Sequence, residues 1–145
     1  MKYWLLPLLL LGACSGGDKG TTPASPHNPT PYALDVPAGF PIPEIPADNP
    51  LTIEGIELGR LLFADPILSV DSTVACASCH LRESAFADAR RFSKGVNGLT
   101  SRNSMPLFNL LWSPSFFWDG RSASLEDQAI HPVQNPIEMR EDWST

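Results

Sequence analysis

Positive charge is scarce in this sequence: 10 Lys and Arg stand against 16 Asp and Glu, for a net charge of −6 and a pI near 4.9. That balance excludes a nucleic-acid binder built on a basic face. Cysteine is scarce too, and 3 in 145 residues do not make a disulfide scaffold. No stretch reaches the ~18 apolar residues of a membrane-crossing helix. Alternating runs of the β type are few, and no internal repeat is visible. What is present is an aliphatic and aromatic content of 43%, enough for a core and against global disorder. The length suits one domain of ~100–150 residues.

The 15 prolines and 3 cysteines are unevenly placed. Lys2 precedes an apolar run from Tyr3 to Leu11, too short to span a bilayer and suited to the hydrophobic part of an export signal. It ends Leu11-Gly12-Ala13-Cys14, which resembles the lipobox of bacterial lipoproteins. That resemblance implies removal of residues 1–13, a lipid on Cys14, and a lipid-anchored protein on the periplasmic side of a bacterial membrane. Acyl chains bury ~0.8 kcal/mol per CH₂, so a multiply acylated N-terminus holds firmly to a membrane. An ordinary signal peptide with an incidental cysteine is the plainer alternative.

Residues 14–50 read as a tether, since 9 of the 15 prolines fall between Pro23 and Pro50. Proline fixes φ and lacks an N–H, so neither a helix nor a central strand forms there. His27 reads as a solvated residue of this linker, and Val36 to Ile45 is apolar enough to lie along a domain surface. The folded domain is expected over residues 51–145.

Helical signals dominate that domain. Ile53, Ile56, Leu58, Leu61, Leu62 and Phe63 keep a 3–4 spacing, with Thr52 as N-cap and Asp65-Pro66 as the stop. Ser124 to Asp127 begins a second helix that should end near His131-Pro132, and Asn135-Pro136-Ile137-Glu138 has the form of a helix start. The expected fold class is all-α.

The most specific chemistry is Cys76-Ala77-Ser78-Cys79-His80. C-x-x-C-H is the attachment signature of c-type haem. Two thiols a turn apart reach the two haem vinyl groups, and the next imidazole ligates the iron from the proximal side. A redox C-x-x-C pair wants a βαβ context, which is missing. Zinc wants four ligands, and adjacent Cys79 and His80 share one tetrahedral ion poorly. A structural disulfide would leave His80 without a role.

Downstream stand Phe116-Phe117-Trp118-Asp119-Gly120-Arg121, Gln128, and Asn135-Pro136-Ile137-Glu138-Met139. With Leu58 to Pro66 and Arg102 to Pro106, they resemble the bacterial dihaem cytochrome c peroxidase family, which includes a relative that matures the tryptophan-derived quinone of methylamine dehydrogenase. The resemblance covers residues from about 50 onward and implies a cytochrome c-like, peroxide-reacting N-terminal haem domain. It implies that Cys76 and Cys79 attach the haem and that His80 ligates its iron. Glu138 would be the carboxylate that moves a proton between the two oxygens of peroxide, and Gln128 a residue ordering that side. Trp118 would carry electrons between two haems, and Asn103 would contribute to a calcium site. Hydrogen peroxide, a cytochrome or cupredoxin electron donor, a second haem and a homodimer belong to the same expectation.

Each role has a plainer alternative on the residues alone. Glu138 sits where a glutamate completes a capping box with Asn135. Trp118 could simply pack with Phe116 and Phe117, Gln128 could be solvated, and Asn103 could cap the segment before Met105-Pro106.

Two departures from the family pattern follow. No histidine stands between Leu81 and Ile130, where many relatives place a sixth ligand, so an open, high-spin resting haem is expected; His131 reads as a helix end. The second C-x-x-C-H is also missing, so the chain reads as half of a dihaem enzyme. The competing function is a single-haem electron carrier with methionine as sixth ligand, for which Met105 and Met139 are the candidates.

Overall fold

The computed structural model describes residues 28–143. The signal segment 1–13, Cys14 and His27 lie outside the described residues, as does the first part of the Pro-rich segment. From Asn28 to Pro50 that segment forms a strap along the domain. Thr30 donates its N–H and hydroxyl to the Glu54 carboxylate at 2.9 and 2.8 Å. The Phe40 ring lies 4.7 Å from that of Trp112, whose indole N–H donates to the Pro41 carbonyl at 2.8 Å. Asn49 Nδ2 donates to Glu126 at 2.9 Å.

Helix α1 spans Ile53–Ala64. Thr52 is its N-cap and accepts the Gly55 N–H at 3.1 Å; Asp65 closes it and accepts the Ile67 N–H at the 3-10 turn Pro66–Leu68. Helix α2 spans Leu125–Gln134. Ser124 caps it by accepting the Asp127 N–H. The expected stop at His131-Pro132 is passed: Pro132 lies within the last turn, and α2 ends when the Asn135 N–H reaches the His131 carbonyl at 2.9 Å.

The all-α expectation is not confirmed. Among the described residues there are two α-helices, of 12 and 10 residues, four 3-10 turns, and a ribbon of β1 (Lys94–Gly95) against β2 (Gly98–Leu99). The reason is local. The segment after Asn135 has the cap of a helix, with Asn135 Oδ1 accepting from Ile137 and Glu138 at 2.9 and 3.3 Å. It stays a single turn because the Met139 N–H, which a helix would give to the Asn135 carbonyl, goes to the Pro132 carbonyl at 3.3 Å, and Arg140 takes a left-handed φ of 58°.

The apolar core among the described residues consists of Ala75, Phe116, Val133 and Met139. No residue of α1 is buried, and Leu61 is 68% exposed.

Asp88 organises the loop between the first turns and the ribbon. Its carboxylate accepts the Arg90 backbone N–H, Nε and Nη2 at 2.9, 2.9 and 2.7 Å. Asn103 Nδ2 bridges the Asp88 and Arg90 carbonyls at 2.9 and 2.5 Å. The Arg90 side chain bonded to it holds the Asp88 carboxyl down at about 2. A depressed carboxyl adds stability that is present above its unfolded value, ~3.9, and is lost as pH falls through the folded one. Asp88→Asn should therefore cost about 2 kcal/mol at pH 7. Denaturant unfolding should find that penalty shrinking between about pH 4 and about pH 2.

Candidate functional site

Cys76–Ser78 is a 3-10 turn, held by the His80 N–H on the Cys76 carbonyl at 3.0 Å and the Ala75 N–H on Ser78 Oγ at 3.1 Å. Both thiols are free and half-buried, and burial pushes both up. That is the wrong direction for an attacking thiolate of the redox type. Among the described residues no three His, Cys, Asp or Glu side chains converge as a zinc site would require.

The His80 ring is set by its Nδ1–H, which donates to the Phe86 carbonyl at 2.8 Å. This bond fixes the tautomer with the lone pair on Nε2, the arrangement a metal-ligating histidine needs. Phe86 can present its carbonyl because Ala85 and Phe86 are both left-handed, with φ of 55° and 57°. Each such non-glycine residue costs on the order of 1 kcal/mol. Phe63 of α1 packs 6.4 Å from both the His80 and the Phe86 ring.

His80 opens on a cavity of about 390 Å³ that Cys79, Asn103, Trp118, Gln128 and Glu138 also line. The structure thus brings together residues that lie far apart in the chain. Cys76 sits on the same turn as Cys79 but not in that lining. Met105 lines the cavity, whereas Met139 is 3% exposed and belongs to the core. His131 lies on exposed α2 surface, 3.7 Å from Asp127, and borders a smaller recess of about 210 Å³ instead. Two thiols on one turn, an oriented imidazole and an adjoining cavity fit a covalently held haem.

Glu138 reaches the cavity wall through its backbone. The ribbon grips it: the Val96 N–H donates to the Glu138 carbonyl at 2.8 Å and the Asn97 N–H to the Ile137 carbonyl at 3.1 Å. The approach is so close that a Cβ on Gly95 would meet Ile137 O and lie 2.6 Å from Glu138 Cα. No capping box forms, since the Asn135 N–H that the Glu138 carboxylate would accept is bonded to His131. Burial pushes the Glu138 carboxyl up, and the Arg121 charge pulls it partly back.

Trp118 and Arg121 stand on a loop closed by the Phe116–Ser122 bridge. Fully buried Ser122 donates to Asp127 and so ties this loop to α2. The Trp118 indole donates to the Asn103 carbonyl at 3.0 Å while the residue stays 62% exposed. Gln128 faces the same cavity from α2, one turn after the Ser124 cap. Asn103 has its amide nitrogen on two carbonyls of the 88–90 loop, so it braces that loop rather than capping Met105-Pro106.

A family model described as di-haem cytochrome c peroxidase matches residues 53–145. The chain belongs to the di-haem cytochrome c peroxidase family. Membership in this family implies c-type haem. Within it, the chain is 43% identical over 100 residues to the cytochrome c peroxidase Ccp of Escherichia coli, covering 68% of this chain and 22% of that one. It is 38% identical over 130 residues to the methylamine utilization protein MauG of Methylorubrum extorquens, covering 87% of this chain and 36% of that protein. The crystal structure of a MauG-like protein associated with microbial copper homeostasis matches with a TM-score of 0.72 at 38% identity, over 77% of this chain and 33% of that one. The chain therefore spans between 22% and 36% of the length of these relatives.

Gly95, Phe86 and Arg121 are site residues that sequence reasoning missed. Gly95→Ala should break the bonds from Val96 to Glu138 and from Asn97 to Ile137 and destabilise the protein by about 3 kcal/mol, measured by denaturant unfolding.

Proposed function

We propose that this chain is the peroxide-reacting haem domain of a cytochrome c peroxidase, reducing hydrogen peroxide to water. Haem would be held covalently by Cys76 and Cys79 with His80 Nε2 on the iron; when bound, it supplies Lewis-acid and redox chemistry. The observation that carries the proposal is the lining of one cavity by His80, oriented through Nδ1, and by Glu138, whose carboxyl burial pushes up.

Glu138 is the proton carrier in this reading. Its carboxylate takes the proton from one peroxide oxygen and returns it to the other, so that the second oxygen leaves as water. Its partial burial favours uptake of the proton by the carboxylate, and the ribbon holds its backbone still. Gln128, on the same wall, offers an amide to order peroxide beside it. Two electrons and two protons complete the conversion of H₂O₂ to two waters. The exposed Trp118 indole, braced on Asn103, is the surface group through which electrons from a second haem or an external cytochrome or cupredoxin would arrive. A calcium role for Asn103 rests on the family resemblance alone. Residues 1–14 support export and a lipid anchor at Cys14, and with them a periplasmic-side location.

The single-haem carrier reading rests on Met105, which lines the same cavity. Spectroscopy separates the two: a peroxidase haem is expected to be high-spin when oxidised, while a His/Met carrier is low-spin and slow with peroxide. In stopped-flow mixing with hydrogen peroxide, Glu138→Gln should slow the haem reaction at least about tenfold, within the range of general acid–base catalysis. A wild-type rate in that variant would sink the peroxidase reading.

A further inference from the structure

Glu138 borders two spaces. The larger is the cavity on to which His80 opens, and the smaller recess runs outward to His131 and Gln134. Arg121 and Phe117 border both spaces as well. Arg121 is fixed there from two sides: its guanidinium carbon lies 3.4 Å from the centre of the Phe117 ring, and Nη1 donates to Asp119 Oδ1 at 2.8 Å. The Phe117 backbone is left-handed, with φ of 66°, a strained setting for a bulky side chain. The Phe117 ring also meets His131 edge-on at 5.4 Å.

The charges in this corner do not cancel. Asp119 gives its second oxygen to Arg102, also at 2.8 Å, so one carboxylate is shared by two guanidinium groups. Both arginines hold the Asp119 carboxyl down at about 2, which keeps it ionised and the trio at a net charge of +1. The groups facing Glu138 can be named by element: Cys79 and His80 from the attachment turn, Arg102, Asp119 and Arg121 from the loops, and His131 from α2. The ribbon contributes backbone through Gly95 to Asn97, and Lys94 is exposed. No hydrogen bond joins Arg121 to Glu138 among the described residues, so its influence acts through space.

We propose that Arg121 is a positioning residue for the peroxide reaction: clamped between Phe117 and Asp119 on the wall shared by both spaces, it supplies the positive field that keeps the Glu138 carboxylate able to accept a proton. Burial alone favours the neutral acid, which cannot take a proton from peroxide. The Arg121 charge acts in the opposite direction. The inference rests on the peroxidase reading of Glu138 and adds to it the residue that sets its working pH. The competing view makes Arg121 an exposed ion pair of little energetic weight, since its side chain is 48% exposed.

The test is the pH dependence of the bimolecular reaction with hydrogen peroxide, followed at the haem band in the haem-loaded full-length protein. Wild type should show an acid limb from Glu138, absent in Glu138→Gln. In Arg121→Gln, which can still donate to Asp119, the limb should move up by about half a unit or more, a loss of at least about threefold in rate below it. Arg121→Lys should restore the wild-type limb. Haem absorption and content should be unchanged in both variants. An unmoved limb in Arg121→Gln, or an equal movement in Arg121→Lys, overturns the inference while leaving Glu138 in place. A wild-type rate for Glu138→Gln defeats the peroxidase reading, and this inference with it. Should Arg121→Gln fail to take up haem, Arg121→Met carries the same expected shift and the same overturning result.

Discussion

The imidazole of His80 has one N–H and one lone pair, and the Phe86 carbonyl accepts the N–H. The proposed haem site depends on that choice, because the other nitrogen then keeps the lone pair a ligand needs and the bond orients the ring. The chain adopts two left-handed residues in succession to make the bond, and such strain persists only where the surroundings over-determine it. Here they do. Phe63 of α1 packs against both rings, and the Leu81 N–H on the Ala87 carbonyl closes the turn at 3.1 Å. Ser104 then ties the Cys79 carbonyl to the far side of the loop with a bond of 2.7 Å.

The Cys76–His80 turn was legible as a candidate haem site because C-x-x-C-H depends only on spacing along the chain. Helix α1 was legible for the same reason: Thr52 and Asp65-Pro66 act on neighbours a few residues away. Asn135-Pro136-Ile137-Glu138 misled by being half right. The Asn135 side chain does cap the turn that follows, but the Met139 N–H that would continue it goes back to Pro132 in α2, and no local pattern records that competition. The ribbon escaped notice because two residues per strand leave no periodicity, and the need for glycine at position 95 arises only where Ile137 and Glu138 cross it. Pro132 looked like a stop, yet a missing N–H in the final turn removes only one bond.

Competition for backbone groups also bears on the proposed role of Glu138. A glutamate three residues after an asparagine is ordinarily a cap, and here the backbone it would cap is occupied. Its carboxyl is left against a half-enclosed wall, between burial that favours the acid and a guanidinium that favours the anion. Such opposed influences keep a group able to change protonation state, as a proton carrier must.

The Pro-rich strap has a mechanical side. Its first described attachment is the pair of bonds from Thr30 to the Glu54 carboxylate, in the opening turn of α1, and its later ones are to Trp112 and Glu126. Tension applied to the chain ahead of residue 28 would therefore be shared by the start of α1, the Trp112 turn and the start of α2. The ring contact that His80 makes with α1 is Phe63, near the end of the helix opposite Glu54, so a pull on the strap bears first on the helix start, like a cable clamped before it reaches its terminals.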